Sequence, residues 1–286
     1  MPHVIALVVL LLVLLVVLTK FKWVHASQVP GNWHDIYCGD ILPGVSLSGG
    51  HSRVALVYDD LAMGDWRVLQ QRIANERLFT LVEPIPEFDI SSGLLSQYEL
   101  VILHNKRITL KEAQAVEDYL ASGGTVLMIG DAASQYYLSP DELAEADVIE
   151  QAKPGWKAFK INETAAQKGF GVLANQLGAQ YLGGVNESSF EVKTVLRQHL
   201  VMASFPDGLK GFPPLPFAKV AADPAYTTKL ASIVQGKDEY PGVLETKLGL
   251  PFFGRTYMMY VAFPIENAGP GSKTLLQNIM DYLVVC

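Results

Sequence analysis

Cysteine is scarce: Cys38 and Cys286 are the only two among 286 residues. A disulfide framework is therefore excluded, because it needs several pairs. The two could bridge to each other, but nothing in the sequence demands it, and two free thiols are the plainer reading. There is also no Cys and His cluster at zinc spacing. His34 and Cys38 stand four apart, but beside Pro30, Gly31 and Gly39 rather than on a helix, so no metal is expected there. Positive charge is in deficit, with 22 Lys and Arg against 29 Asp and Glu, for a net charge of −7. A general nucleic-acid binder needs a basic face, and that class is excluded. No run of like charge marks a disordered tail. The chain has no internal repeat and no Gly-x-Gly-x-x-Gly fingerprint, and no cofactor is expected.

Apolar residues, by contrast, are plentiful. Half the chain is hydrophobic and 18% is charged, enough for a packed core in one large domain or two small ones. Residues 4–18 are an unbroken run of Val, Leu, Ile and Ala, followed by Lys20, Phe21, Lys22 and Trp23. The run alone is short for a membrane span, but counted to Val24 it is long enough, with snorkelling lysines and interfacial aromatics. The reading is a single-pass anchor over 1–25. A signal peptide cut after Val24-His25-Ala26, leaving Ser27 first, is the rival; the lack of Lys or Arg before the run argues against it. Lys20 and Lys22 place the following domain on the cytoplasmic side by the positive-inside rule. Two sequons, at Asn162 and Asn186, would become glycosylation sites only on the other side. The membrane side stays open.

Residues 26–52 are rich in Gly, Pro, Ser and His and read as a linker. From 53 the pattern is that of an α/β domain reaching 286, with a loop-rich insertion around 139–250. Apolar runs at 53–58, 78–83, 99–103 and 125–129 read as strands, the second closed by Pro84 and Pro86. A helix is expected over 64–76. Another runs from Thr109, which forms a capping box with Glu112, to Ser122 before Gly123-Gly124. Beyond these lie an acidic helical excursion at 139–149, a helix at 163–177 broken by Gly169 and Gly171, and a loop at 205–216. The end reads as strands at 243–247 and 256–263 around a hairpin loop at 249–254, then a helix over 272–285 capped by Ser272.

Alternating strands and helices imply right-handed βαβ units in a doubly wound, mainly parallel sheet. Ligands of such sheets bind beyond the carboxyl ends of the strands. The polar residues expected there are Asp59 and Asp60, His104 and Asn105, and Asp131 and Ser134. Ser134 with His104 and Asp59 is a conceivable nucleophilic set, and Asp59, Asp60 and Asp131 could hold a divalent cation through oxygen. Neither set has diagnostic spacing. Exposed strand ends are also polar simply because they cap helices.

Three stretches carry a resemblance: "YELVILHNKRITLKEAQAVEDYLASGGTVLMIGDAAS", "NETAAQKGFGVLANQLGAQYLGG" and "TYMMYVAFPIENAGPGSKTLLQNIMDYLV". Their order of strand, helix and elbow resembles the class I glutamine amidotransferase-like fold, including ThuA-like and membrane-linked relatives. Active members of that fold carry a cysteine on the elbow after the strand and a His-Pro-Glu segment after the late strand. Here the elbow is Gly130-Asp131-Ala132-Ala133-Ser134, and the late segment is Phe263-Pro264-Ile265-Glu266. Only Glu266 matches. The resemblance therefore implies a degenerate site without catalytic residues. It leads to the expectation of a non-catalytic, membrane-anchored subunit that docks other membrane proteins. Phe212, Pro213, Pro214 and Phe217 would be either its contact surface or side chains folded back onto the core. The alternative is a small-molecule or sugar binder, or a hydrolase, working with Asp59, Asp60, His104, Asn105, Asp131, Ser134 and Glu266.

Overall fold

The computed structural model describes residues 2–20, 40–42, 45–46, 52–76, 80–137, 167–171, 173–210, 213–249 and 255–284. His34, Cys38, Cys286, Phe212, Asn162, the excursion at 139–149 and the hairpin tip at 250–254 lie outside them. Eight strands form one sheet: β1 (Ser52–Tyr58), β2 (Thr80–Pro86), β3 (Leu100–His104), β4 (Thr125–Ile129), β5 (Glu191–Thr194), β6 (Thr228–Gln235), β7 (Asp238–Gly249) and β8 (Arg255–Val261). Their order is β5-β6-β7-β8-β4-β3-β1-β2. The strands from β2 to β8 pair in parallel, and β8-β7-β6-β5 pair antiparallel. The fold is α/β and mainly parallel, as the sequence indicated.

β3 and β4 are buried at every position, which is why they read as unbroken apolar runs. The step from β1 to β2 runs one way across the sheet and the step from β3 to β4 the other. Right-handed crossovers thus put helix α2 (Trp66–Glu76) and helix α3 (Leu110–Ala121) on opposite faces. The switch point falls between β1 and β3. The expected capping box is present: Thr109 Oγ1 accepts from the Glu112 amide, and Glu112 Oε2 accepts from the Thr109 amide at 2.7 Å.

Several boundaries differ from expectation. β2 runs through Pro84 and Pro86 instead of stopping before them, because it is an edge strand whose missing N–H groups need no partner. The second helix begins at Trp66, not 64, since Gly64 has φ +96° and Asp65 caps the first turn. The region from 167 is not one helix: Gln167–Lys168 pairs with Gln135–Tyr137, and only Leu173–Leu177 is helical. Gly169 and Gly171, both at positive φ, separate the two. The last helix, α4 (Pro270–Leu283), is entered by Gly269 with Pro270 in its first turn; Ser272 is not its cap. Phe217 is not in a contact loop. It lies in a strand, Leu215–Ala222, fully buried against Phe190 at a centroid distance of 5.3 Å. That strand pairs with Ala179–Ser188 as a separate two-stranded ribbon.

An N-terminal helix, α1 (Pro2–Lys20), has 19 residues, and its described Val and Leu side chains are largely exposed. Among the described residues no helix is long and apolar enough to cross a membrane.

Candidate functional site

The carboxyl ends of β1, β3, β4 and β8 bring most of the expected polar residues to one edge, where they are almost wholly buried. Glu266, just past β8, accepts from two directions. His104 Nε2, at the end of β3, lies 3.2 Å from Glu266 Oε1, and the Asp65 amide donates to the same oxygen at 2.9 Å. His104 Nδ1 and Glu266 Oε2 find no hydrogen-bond partner among the described residues. Burial alone would lower the imidazole's pKa. The hydrogen bond and charge of Glu266, reinforced by Asp131, more than reverse this and hold His104 above its ordinary 6.5.

Asp131, on the elbow after β4, also accepts from the loop that follows β1. Its Oδ1 takes the Met63 amide at 2.7 Å, and Lys106 Nζ stands 3.1 Å from its Oδ2. Loop 59–65 thus sits on the strand ends with one amide on each carboxylate. Gly64 permits this seating: a Cβ there would lie 1.8 Å from Glu266 Oε1. Met63 covers the elbow from above, since a Cβ on Gly130 would meet Met63 Cβ at 3.1 Å.

The elbow itself is fixed tightly. Gly130 N–H donates to Val261 O, Ala133 N–H to Asn105 O at 2.6 Å, and Tyr260 Oη to Gly130 O. Ala133, with φ 53°, is the single non-glycine residue at positive φ among the described residues. Strained backbone of this kind gathers at functional turns. Here it presents a buried methyl group. Ser134, one residue on, is buried beside Tyr181, whose phenol is held above its ordinary value by burial and by Asp131.

Asp59 belongs to a second cluster at the same edge. Its Oδ1 accepts from the Leu61 and Ala62 amides, and its Oδ2 from the Lys106 and Arg107 amides. Arg107 Nε stands 3.9 Å from Asp59 and its other nitrogen bonds Glu87. Burial pushes the Glu87 carboxyl up to about 8; Asp59 adds to the rise and Arg107 opposes it.

Asp60 is not in the site. It is exposed and bonds the Trp66 indole at 3.3 Å. Asn105 is buried and donates to Arg107 O. His104 pairs with Glu266 and Asp59 with Arg107, so the Ser134–His104–Asp59 set is not assembled by any hydrogen bond between its members. Among the described residues no three His, Cys, Asp or Glu side chains are grouped to hold a metal. Tyr136 Oη donates to Phe170 O, with its ring beneath Gly171. Sequence reasoning missed Lys106, Arg107, Glu87 and the seating of loop 59–65. A signal for the first two was available: His104-Asn105-Lys106-Arg107 puts two cations directly after a strand end otherwise ringed by acids.

A mainly parallel sheet with its polar cluster at the β1/β3 switch point and a tight turn after β4 defines a doubly wound α/β domain. Comparison with solved structures agrees at the level of the fold. A ThuA-like protein from Bacteroides uniformis superposes with a TM-score of 0.53 at 16% identity, over 82% of this chain and 92% of that one. A β-galactosidase from Rahnella sp. R3 gives 0.50 at 15%, over 82% of this chain but only 32% of the galactosidase. A GMP synthase component from Thermoplasma acidophilum gives 0.46 at 13%, over 82% and 94%. No protein-family profile matches the sequence, and neither does any curated protein.

Proposed function

We propose that this chain is a non-catalytic, membrane-anchored subunit whose amidotransferase-like domain docks other membrane proteins. The observation that carries the reading is the strand-end edge. The strained elbow position holds Ala133, and the two carboxylates nearest it, Asp131 and Glu266, are taken up by backbone amides of the chain's own loop. A nucleophile needs an adjacent base and open access, and among the described residues the elbow presents a buried alanine methyl in that position. The anchor rests on the sequence: the apolar run at 4–18 followed by Lys20, Phe21, Lys22 and Trp23.

A second reading has one observation in its favour. The His104–Glu266 pair is buried and leaves Nδ1 and Oε2 unpartnered, an arrangement suited to binding or general-base work if loop 59–65 opens. Two experiments separate the readings. Glutamine turnover by the purified protein should be absent; turnover abolished by Asp131→Ala overturns the non-catalytic reading. Purification in mild detergent should bring down partner chains, and the double variant His104→Ala, Asp131→Ala should still bring them down. Normal assembly of that variant with loss of an enzymatic function in the host would favour the second reading.

A further inference from the structure

The strand-end edge is closed, but a separate hollow of about 510 Å³ opens where the two-stranded ribbon meets the helix Leu173–Leu177. Its volume falls in the range of ligand sites. None of its lining residues is one of the strand-end polar residues. The floor is small, with Gly178 and Ala179, and the polar groups are Asn175, Gln180 and Asp223. Tyr226 forms one wall and is 68% exposed.

That exposure is held in place by the backbone. The Asp223 amide donates to Gly178 O at 2.8 Å, the Ala225 amide to Asp223 Oδ1 at 2.9 Å, and the Tyr226 and Thr227 amides to Asp223 O. Gly178 sits at φ +64°, and a Cβ there would lie 2.7 Å from Tyr226 Cβ. The turn is locked against a glycine that only glycine can replace, so an aromatic face is presented to solvent with little ordering left to do on binding.

The lining chemistry selects the ligand. Two carboxamides offer donors and acceptors side by side, and a carboxylate accepts. Among the described residues no Lys or Arg lines the hollow, so a phosphate or carboxylate ligand would meet Asp223 without a counter-charge. The walls carry no aliphatic side chain larger than alanine among those residues, which disfavours an apolar ligand. An aromatic face beside planar hydrogen-bonding groups matches a sugar ring, apolar on its C–H face and hydroxylated at its edge. From this geometry we infer that the Tyr226 hollow binds a neutral oligosaccharide. The inference is independent of the docking role proposed above.

The test is calorimetric titration of the full chain in a detergent without a sugar headgroup. The probes are maltotriose, cellotriose, xylotriose and tri-N-acetylchitotriose. At least one should bind with Kd below about 1 mM. Tyr226→Ala should weaken it by about tenfold or more, and Tyr226→Phe, which keeps the ring face, by no more than about twofold. Both variants should melt as the parent does, because the ring is exposed. Absence of binding by all four probes overturns the inference. So does parental affinity in Tyr226→Ala, or tighter binding of glucose 6-phosphate than of glucose.

Discussion

Two His–Glu pairs in this molecule look alike and serve different ends. His199 Nε2 faces Glu245 Oε2 at 3.4 Å, and His104 Nε2 faces Glu266 Oε1 at 3.2 Å. Around His199 both ring nitrogens are engaged. Nδ1 accepts the Val201 amide, which puts the proton on Nε2 toward Glu245. Tyr282 Oη donates to Glu245 Oε1, and the His199 and Tyr282 rings meet edge to face at 4.9 Å. The cluster clamps α4 to β7. Around His104 one nitrogen is unpartnered, a second acid stands near, and the shared carboxylate also holds a loop. The first pair closes a helix onto a sheet; the second closes a loop onto a set of strand ends. The difference lies in the imidazoles: Nδ1 of His199 accepts a backbone amide, whereas Nδ1 of His104 has no hydrogen-bond partner among the described residues.

The sharpest way to break the comparison is to remove each glutamate. Glu266→Ala removes the group that holds His104 above its ordinary value, so burial then drives the imidazole neutral, and it frees the Asp65 amide; we expect a loss of about 3–4 kcal/mol. Glu245→Ala removes the acceptor of the Tyr282 hydroxyl and the carboxylate facing His199, and we expect about 2 kcal/mol. Chemical denaturation midpoints of both variants measure the difference. Equal losses would mean that holding loop 59–65 adds nothing to the Glu266 pair.

The same asymmetry predicts pH dependence. His104 has a folded value above its ordinary 6.5. Its contribution is present in full below that ordinary value and is lost as pH rises through the folded one. Glu87 acts in the same direction: its carboxyl titrates at about 8 in the fold against an ordinary 4.5. Between those values the unfolded chain ionises and the folded one does not, so stability falls as pH rises from about 4.5 to about 8. Melting temperature against pH should therefore slope downward over this range. Glu87→Gln should flatten the lower part and His104→Gln the part above 6.5.

Legibility in the sequence divides along the sheet. β1, β3 and β4 are buried on both faces, so each is an apolar run that stands out from its surroundings, and the capping box at Thr109 and Glu112 fixes the start of α3. β5, β6 and the ribbon strand Ala179–Ser188 do not stand out in this way. The ribbon strand alternates buried or half-buried with exposed residues and contains Gly183 and Gly184, so its apolar content is low and looks like loop. Phe217 is misleading for a related reason: its neighbours Pro213, Pro214 and Pro216 suggest a turn, while the strand begins at Leu215. At the site, residues on strand ends are readable because the parallel pattern says where strands end. Loop 59–65 is not, because no periodicity marks a loop that folds back on two carboxylates.

Glycine substitutions test how far that loop depends on close approach. Gly64→Ala combines positive φ with a Cβ 1.8 Å from Glu266 Oε1. We expect about 2–3 kcal/mol, with Glu266 displaced. Gly236, at φ +63°, has nothing within 4 Å of its Cβ, so Gly236→Ala should cost only the backbone term of about 1 kcal/mol. Thermal denaturation of the two variants separates contact from conformation. A smaller loss at Gly64 than at Gly236 would mean that loop 59–65 is not seated on Glu266 in solution.

The smallest effect is expected at the elbow. Ala133 holds a positive φ of 53°, for which an alanine incurs about 1–2 kcal/mol. Ala133→Gly relieves that strain. It also removes a fully buried methyl group, which costs roughly 0.8 kcal/mol for the lost burial. The unfolded chain gains freedom as well, at a further 0.5–1 kcal/mol or so. The terms oppose one another at similar size, so the melting temperature should move by no more than about 2 °C in either direction. A clear gain in stability would mean that strain outweighs packing at this turn, and that the elbow keeps its conformation at a cost the packing of its own residue does not offset. Strain of that kind is what functional turns retain. Such a result would count against the docking role and for activity at the strand ends.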